Sequence, residues 1–129
     1  RETAPTTGVQ LRSLAKVQTY FWNDTQTAAL SLGSVGARLR VHDRRARLCT
    51  DDQLQAVLST KFESDGTAEM AAAGYVLADD AWWVPSAVPT YDPDIFERVV
   101  SVEDPFGNVT SVTYDAQGLF VLETEDALG

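Results

Sequence analysis

Apolar and polar positions are spaced as in strands at both ends of this chain and as in helices in the middle. Residues 11–22 form a β-rich run that ends in Val17, Thr19, Tyr20, Phe21 and Trp22, and Asn23-Asp24 supplies a turn signal after it. Gly33 and Gly36 punctuate the next stretch. Leu39 and Val41 then alternate with Arg38, Arg40 and His42, which predicts a half-buried strand with a charged face.

The period then changes. Thr50 and Gln53 form a capping box, and Asp51 and Asp52 put negative charge on the first turn, where the helix dipole favours it. Leu54, Val57, Leu58 and Phe62 would make one apolar face, predicting a helix from 51 to about 61. Ser64-Asp65-Gly66 breaks the chain. Thr67 is expected to cap a shorter helix over 68–73, stopped by Gly74. Strands at 75–78 and 81–84 flank Asp79-Asp80, a tight hairpin turn. Pro85, Pro89 and Pro93 mark a surface connection that cannot join a central ladder, and from Phe96 onward the chain reads as β.

The last quarter holds a repeat. Asp104-Pro105-Phe106-Gly107, Asp115-Ala116-Gln117-Gly118 and Asp126-Ala127-Leu128-Gly129 are Asp-x-x-Gly tetrads, each 11 residues after the one before. Asp at the first position of a turn can accept backbone N–H groups from further round it, and Gly at the fourth adopts positive φ without steric cost. The simplest antiparallel register pairs Val99 with Val112 and Val112 with Val121 on one face. It pairs Val102 with Val109 and Thr113 with Phe120 on the other. A bulge at either turn would change these pairs but leave the meander intact. The fold class is therefore α+β, mainly antiparallel β-sheet with one or two short helices and a C-terminal β-meander. The chain divides into a flexible lead-in (1–8), an α+β region (9–95) and the start of the repeat (96–129). An opening Arg1 and a Gly129 that falls within a turn suggest a segment of something longer.

Composition narrows the function. The 129 residues are 44% hydrophobic and 22% charged, ordinary for a globular protein. A net charge of -9 argues against nucleic acid, and no apolar run is long enough to span a membrane. Arg38, Arg40, Arg44, Arg45 and Arg47 supply half of the ten basic residues. They are expected to form a solvated strand face whose charges answer nearby carboxylates, rather than a partner site. Cys49 is the sole cysteine, which rules out an internal disulfide.

No catalytic constellation can be assembled, so an enzyme is not expected, nor a cofactor. His42, the one histidine, reads as a surface residue beside Asp43. Asp79, Asp80, Asp92 and Asp94 read as turn residues, since their spacing lacks a calcium-loop pattern. Ser86 has no Gly-x-Ser-x-Gly setting. Trp82-Trp83 raises one rival. Adjacent strand residues point to opposite faces, so one tryptophan could stay exposed and stack on a sugar. A domain interface is the favoured use of the pair, with a carbohydrate- or surface-binding module as the alternative. Tyr20, Phe21, Trp22 and Tyr75 are expected at the core or at a domain interface.

These residues also carry a family likeness. Tyr114-Asp115-Ala116-Gln117-Gly118, set within the tetrads, resembles an Rhs-type YD repeat. The stretch from Asp104 to Gly129 is similar to the B component of bacterial insecticidal toxin complexes, in the TcdB-type middle and C-terminal region. Gly74-Tyr75-Val76, Trp82-Trp83-Val84-Pro85-Ser86 and Tyr91 match the pattern upstream. So do Tyr20-Phe21-Trp22-Asn23-Asp24 and Leu30-Ser31-Leu32-Gly33-Ser34-Val35-Gly36. The chain differs from that pattern in having Ala73-Gly74 for a Gly-Gly pair and in its basic stretch. The resemblance implies a secreted virulence protein and an architectural segment between a β-propeller and a hollow YD-repeat shell. Its implied partners are the remainder of its own chain, the C component that closes the shell around a toxic cargo, and the channel-forming A component. The self-cleavage chemistry of Rhs-type proteins belongs to the C component and is not carried over.

Overall fold

The structure, a computed structural model, describes residues 15–58, 61 and 66–128. The expected lead-in, the first part of the 11–22 run, Phe62, the Ser64-Asp65 break and the turn position of Gly129 lie outside the described residues. The architecture is mainly antiparallel β with two short helices, as the spacing predicts. Among the described residues it consists of two four-stranded sheets.

The first sheet contains β1 (Val17–Phe21), β2 (Val41–Thr50), β3 (Val76–Ala78) and β4 (Ala81–Pro85), in the order β1-β2-β4-β3. Its two helices, α1 (Asp51–Leu58) and α2 (Thr67–Ala72), come between β2 and β3. The capping box forms as read: the Thr50 amide donates to Gln53 Oε1 at 3.0 Å and the Gln53 amide to Thr50 Oγ1 at 3.3 Å. α2 ends on Gly74 (φ +82), where the amides of Gly74 and Tyr75 donate to the carbonyls of Ala71 and Met70. This double closure needs the left-handed residue that only glycine adopts without penalty. The N-cap is Gly66 rather than Thr67, which is the first helical residue. Asp79 and Asp80, at φ 50 and 55, form the two-residue turn between β3 and β4, with Ala78 opposite Ala81. Consecutive left-handed residues suit the twist of a hairpin.

Trp82 sits at the centre of the core with Leu54 of α1 and Met70 of α2, and Cys49 and Tyr75 pack against them. Val57, predicted on the apolar face of α1, is exposed. The strand predicted from Leu39 begins only at Val41, because Leu39 takes a left-handed conformation (φ 52) and turns out to solvent.

The second sheet runs β5 (Val88–Asp92), β6 (Arg98–Glu103), β7 (Val109–Tyr114), β8 (Val121–Glu125) in sequence order. β5 contains Pro89, within the stretch that the prolines predict to be a surface connection. It is an edge strand, where a missing N–H costs nothing because that side has no ladder partner. A short 3-10 turn (Pro93–Ile95) joins β5 to β6, so the sequence division at 95/96 falls inside this hairpin.

The meander forms, but its predicted pairs do not. Val102 faces Thr110 and Val109 faces Glu103, one residue off the simple register. Val112 faces Thr124, and Thr113 faces Glu123. The reason lies in the turns. Gly107 donates to the Asp104 carbonyl at 3.0 Å and is left-handed (φ +83), and the Asp104 amide donates to Asn108 O at 2.9 Å. The glycine is thus a bulge that shifts the return strand by one. At the second turn the Asp115 amide reaches Phe120 O, one residue further, and another irregularity follows at Tyr114.

Candidate functional site

The repeat and the seam where the second sheet meets the first are the places where side chains do more than fill space. In the first tetrad, Asp104 Oδ1 accepts from the amides of Phe106 (2.8 Å) and Asn108 (2.9 Å), and Oδ2 accepts from Asn108 Nδ2 (2.8 Å). In the second, Asp115 Oδ1 accepts from the amides of Leu119 (2.6 Å) and Phe120 (3.0 Å). Asp126 repeats the motif with the Leu128 amide at 2.9 Å. Tyr114, next to Asp115, donates its hydroxyl back to Val99 O on β6 at 3.0 Å, with the Arg98 guanidinium 5.4 Å from its ring centre. The tyrosine braces β7 against the strand before it while the aspartate shapes the turn after it. That division of labour explains why the two residues are adjacent.

The two edges of the second sheet differ. On the outer side of β5, Trp22 Nε1 donates to Pro89 O at 2.8 Å. The Gln26 side-chain amide donates to Tyr91 O at 2.7 Å and accepts from the Tyr91 amide at 2.8 Å, imitating one rung of a neighbouring strand. β5 therefore has its edge closed by the first unit. β8 has no strand beyond it among the described residues, and all five of its residues are exposed.

The arginine cluster divides along the same seam. Arg38 and Arg40 both donate to the carboxylate of Glu97, Arg40 through Nε at 2.5 Å, and Arg40 also reaches Asp24 O at 3.2 Å. The Arg40 side chain is only 4% exposed, so it belongs to the interior and not to a solvated strand face. Arg45 Nε pairs with Asp43 Oδ2 at 2.7 Å and stacks its guanidinium 4.2 Å from the Tyr20 ring. Carboxylates answer these charges, as the sequence reading expects.

His42 is half-buried rather than on the surface. Its Nδ1 lies 2.8 Å from the buried Asp43 carboxylate and its ring meets Trp22 edge-on at 4.2 Å. Asp92 caps the 3-10 turn through the Asp94 amide, and Ser86 Oγ accepts from the Arg44 amide. Burial pushes the Cys49 thiol up, with Asp51 adding to the shift, which leaves it a poor nucleophile. Among the described residues no group of three His, Cys, Asp or Glu side chains is placed to hold a metal ion.

The tryptophan pair corrects one expectation. Trp82 and Trp83 are each only 1% exposed, one on either face of β4. Trp82 Nε1 donates to Asp51 Oδ1 (2.8 Å), and Trp83 Nε1 donates to Ala78 O (2.9 Å) under the Lys16 ammonium, 5.3 Å from its ring. Neither ring offers a platform for a sugar, because helices cover one face of the strand and the other is closed as well. The sequence reading places Trp22 at the core or a domain interface but misses its seam partners Gln26 and Glu97. Nothing local marks Gln26 or Glu97, since the partner of each lies far away in the chain.

Two carboxylates are tuned by their surroundings. The Asn108 side chain and then the turn amides hold the Asp104 carboxyl below the usual range, while the Arg40 guanidinium, helped by Arg38, does the same for Glu97. A carboxyl with a lowered folded-state pKa contributes stability that is complete above its unfolded value, about 4, and is lost as pH falls through the lowered one. Urea midpoints are therefore expected to decline below about pH 4, and less steeply in Asp104→Asn, whose side chain does not titrate. An Asn variant with the wild-type acid slope would remove Asp104 from this account.

No family model matches the chain, and no curated protein does. Solved structures do. The TcdB2–TccC3–Cdc42 crystal structure matches 88% of this chain at 14% identity with a TM-score of 0.56, over 7% of its own chain. The TcdB2–TccC3 crystal structure matches 86% at 15% identity and a TM-score of 0.51, again over 7% of its chain. The Tc holotoxin pore of Photorhabdus luminescens matches 86% at 16% identity and a TM-score of 0.54, over 6% of its chain. The chain thus shares its fold with a small portion of these much longer proteins.

Proposed function

We propose that the chain is a non-catalytic architectural segment of a secreted toxin-complex component, in which the meander starts a larger antiparallel wall around a cargo domain. The observation that carries this reading is the asymmetry of the second sheet. Trp22 and Gln26 close its β5 edge, so the sheet can grow only from β8. Next to that open edge, Leu119, Phe120, Val121 and Leu122 are 55%, 69%, 55% and 67% exposed. Four consecutive exposed apolar residues mark a surface built to be covered. The second sheet contributes no buried apolar side chain among the described residues, so it depends on neighbours for its stability. The fold neighbours, TcdB2–TccC3 assemblies and a holotoxin pore, supply the context. By that analogy the partners are the remainder of the toxin chain, the C component and the channel-forming A component. No helix among the described residues is long and apolar enough to cross a membrane.

Sedimentation velocity tests the open edge. An uncovered strand flanked by apolar side chains recruits another copy, so the 129-residue chain is expected to associate as its concentration rises. Leu122→Lys should weaken that association at least about tenfold, since the lysine charge would have to be desolvated in the contact. A chain that stays monomeric, with the amides of 121–125 protected from exchange, would show the edge already closed and end the proposal. Tryptophan emission is expected to ignore a panel of glycans; a shift with any of them would favour the binding-module reading instead.

A further inference from the structure

The two sheets share no buried apolar cluster: every buried apolar side chain among the described residues belongs to the first sheet or its helices. Directional contacts set their relative orientation, from Trp22 to Pro89, Gln26 to Tyr91, and Arg38 and Arg40 to Glu97. Backbone strain gathers at the same place. Among the described residues six non-glycine residues have positive φ, of which Asp79 and Asp80 form the β3–β4 hairpin turn, away from the seam. The other four are Gln26, Leu39, Phe96 and Glu97. Gln26 caps the β5 edge, Leu39 lies between the two arginines, and Phe96-Glu97 carries the carboxylate they hold. Left-handed conformations at such residues persist only where surrounding contacts over-determine them, and they collect at switches and clamps.

We propose that this seam is a strained ionic latch. Glu97, gripping Arg38 and the buried Arg40, holds the β5–β8 sheet at a fixed angle to the β1–β4 sheet, and loss of that grip lets the meander swing away as an intact sheet. Arg40 is the fixed half of the latch, since it is anchored on its own unit by Asp24 O. Glu97 is the moving half, carried on the β5–β6 hairpin. The inference is independent of what the meander is built to join, because it concerns only the angle between the two sheets.

Hydrogen exchange of the whole 129-residue chain, read residue by residue by NMR, tests it. The reporters are the Tyr91 amide, which donates to Gln26, and the Trp22 indole N–H, which donates to Pro89 O. In Glu97→Gln both should exchange at least about tenfold faster, while amides within the β2–β4 and β6–β7 ladders keep their wild-type rates. Arg38→Ala should move the same reporters in the same direction by less, because Arg40 still holds the carboxylate. Unchanged rates at Tyr91 and Trp22 would overturn the latch. So would uniform acceleration of all amides in Arg38→Ala, which would make the pair a prop of the whole fold. Should Glu97→Gln fail to fold, Arg38→Ala decides alone: local acceleration supports the latch, and either no change or global acceleration overturns it.

Discussion

Trp82→Ala is expected to remove about 3–5 kcal/mol of stability, the range for deleting a large aromatic from a packed interior. Against the roughly 5–15 kcal/mol that holds a typical domain together, this is a large share of the whole. The size of the effect follows from position. Trp82 clusters with both Leu54 and Met70, so its ring joins α1 and α2 to the sheet. Its indole N–H also engages Asp51 in the first turn of α1, and that carboxylate would lose its partner. Chemical denaturation followed by circular dichroism gives the number. A loss below about 1 kcal/mol would mean that the core closes around the cavity and is organised by other contacts.

The second large effect separates two glycines that the sequence presents as equivalents. Gly107 and Gly118 occupy the same place in successive tetrads, and both are left-handed, at φ +83 and +64. A Cβ on Gly107 would enter open space, so Gly107→Ala should cost only the backbone penalty, about 1–2 kcal/mol. A Cβ on Gly118 would come within 2.9 Å of Ile95 Cβ and 3.2 Å of its Cγ2. Gly118→Ala should therefore add an overpacking term of about 1–3 kcal/mol to the same backbone penalty. The strain falls where the second turn docks on the 3-10 segment between β5 and β6. Urea titration of the two variants side by side tests this. Equal losses would mean that the Ile95 contact gives way and that the second turn is not seated on it.

The elements that were legible in advance are those whose determinants are close together in the chain. Thr50 and Gln53 stand three residues apart and satisfy each other's amides, so no distant contact is needed to place the start of α1. Asp79-Asp80 and the Asp-x-x-Gly tetrads are equally local, because a turn is closed by its own side chains and its own φ values. The adjacency of Tyr114 and Asp115 also belongs here, one residue bracing a strand and the next opening a turn.

What the sequence concealed depends on more distant partners or on small shifts in the turns. The pairing register slipped because a single left-handed glycine inserts a bulge, and a bulge changes the cross-strand partners without changing the pattern of turns. β5 was hidden because Pro89 is tolerable only at an edge, and whether a strand lies at an edge is a property of the sheet.

Short-range patterns were thus enough for the α+β class, the helix start, the hairpin turn and the repeating meander, since their turns and caps rest on hydrogen bonds made within a few residues. It took the packed fold to show that Trp82 and Trp83 are both buried, that Arg40 reaches across to Glu97, and that the second sheet, among the described residues, is closed at one edge and unpaired at the other. Burial and charge pairing depend on which surfaces meet, and at the seam between the sheets those surfaces lie some 57 to 67 positions apart in the sequence.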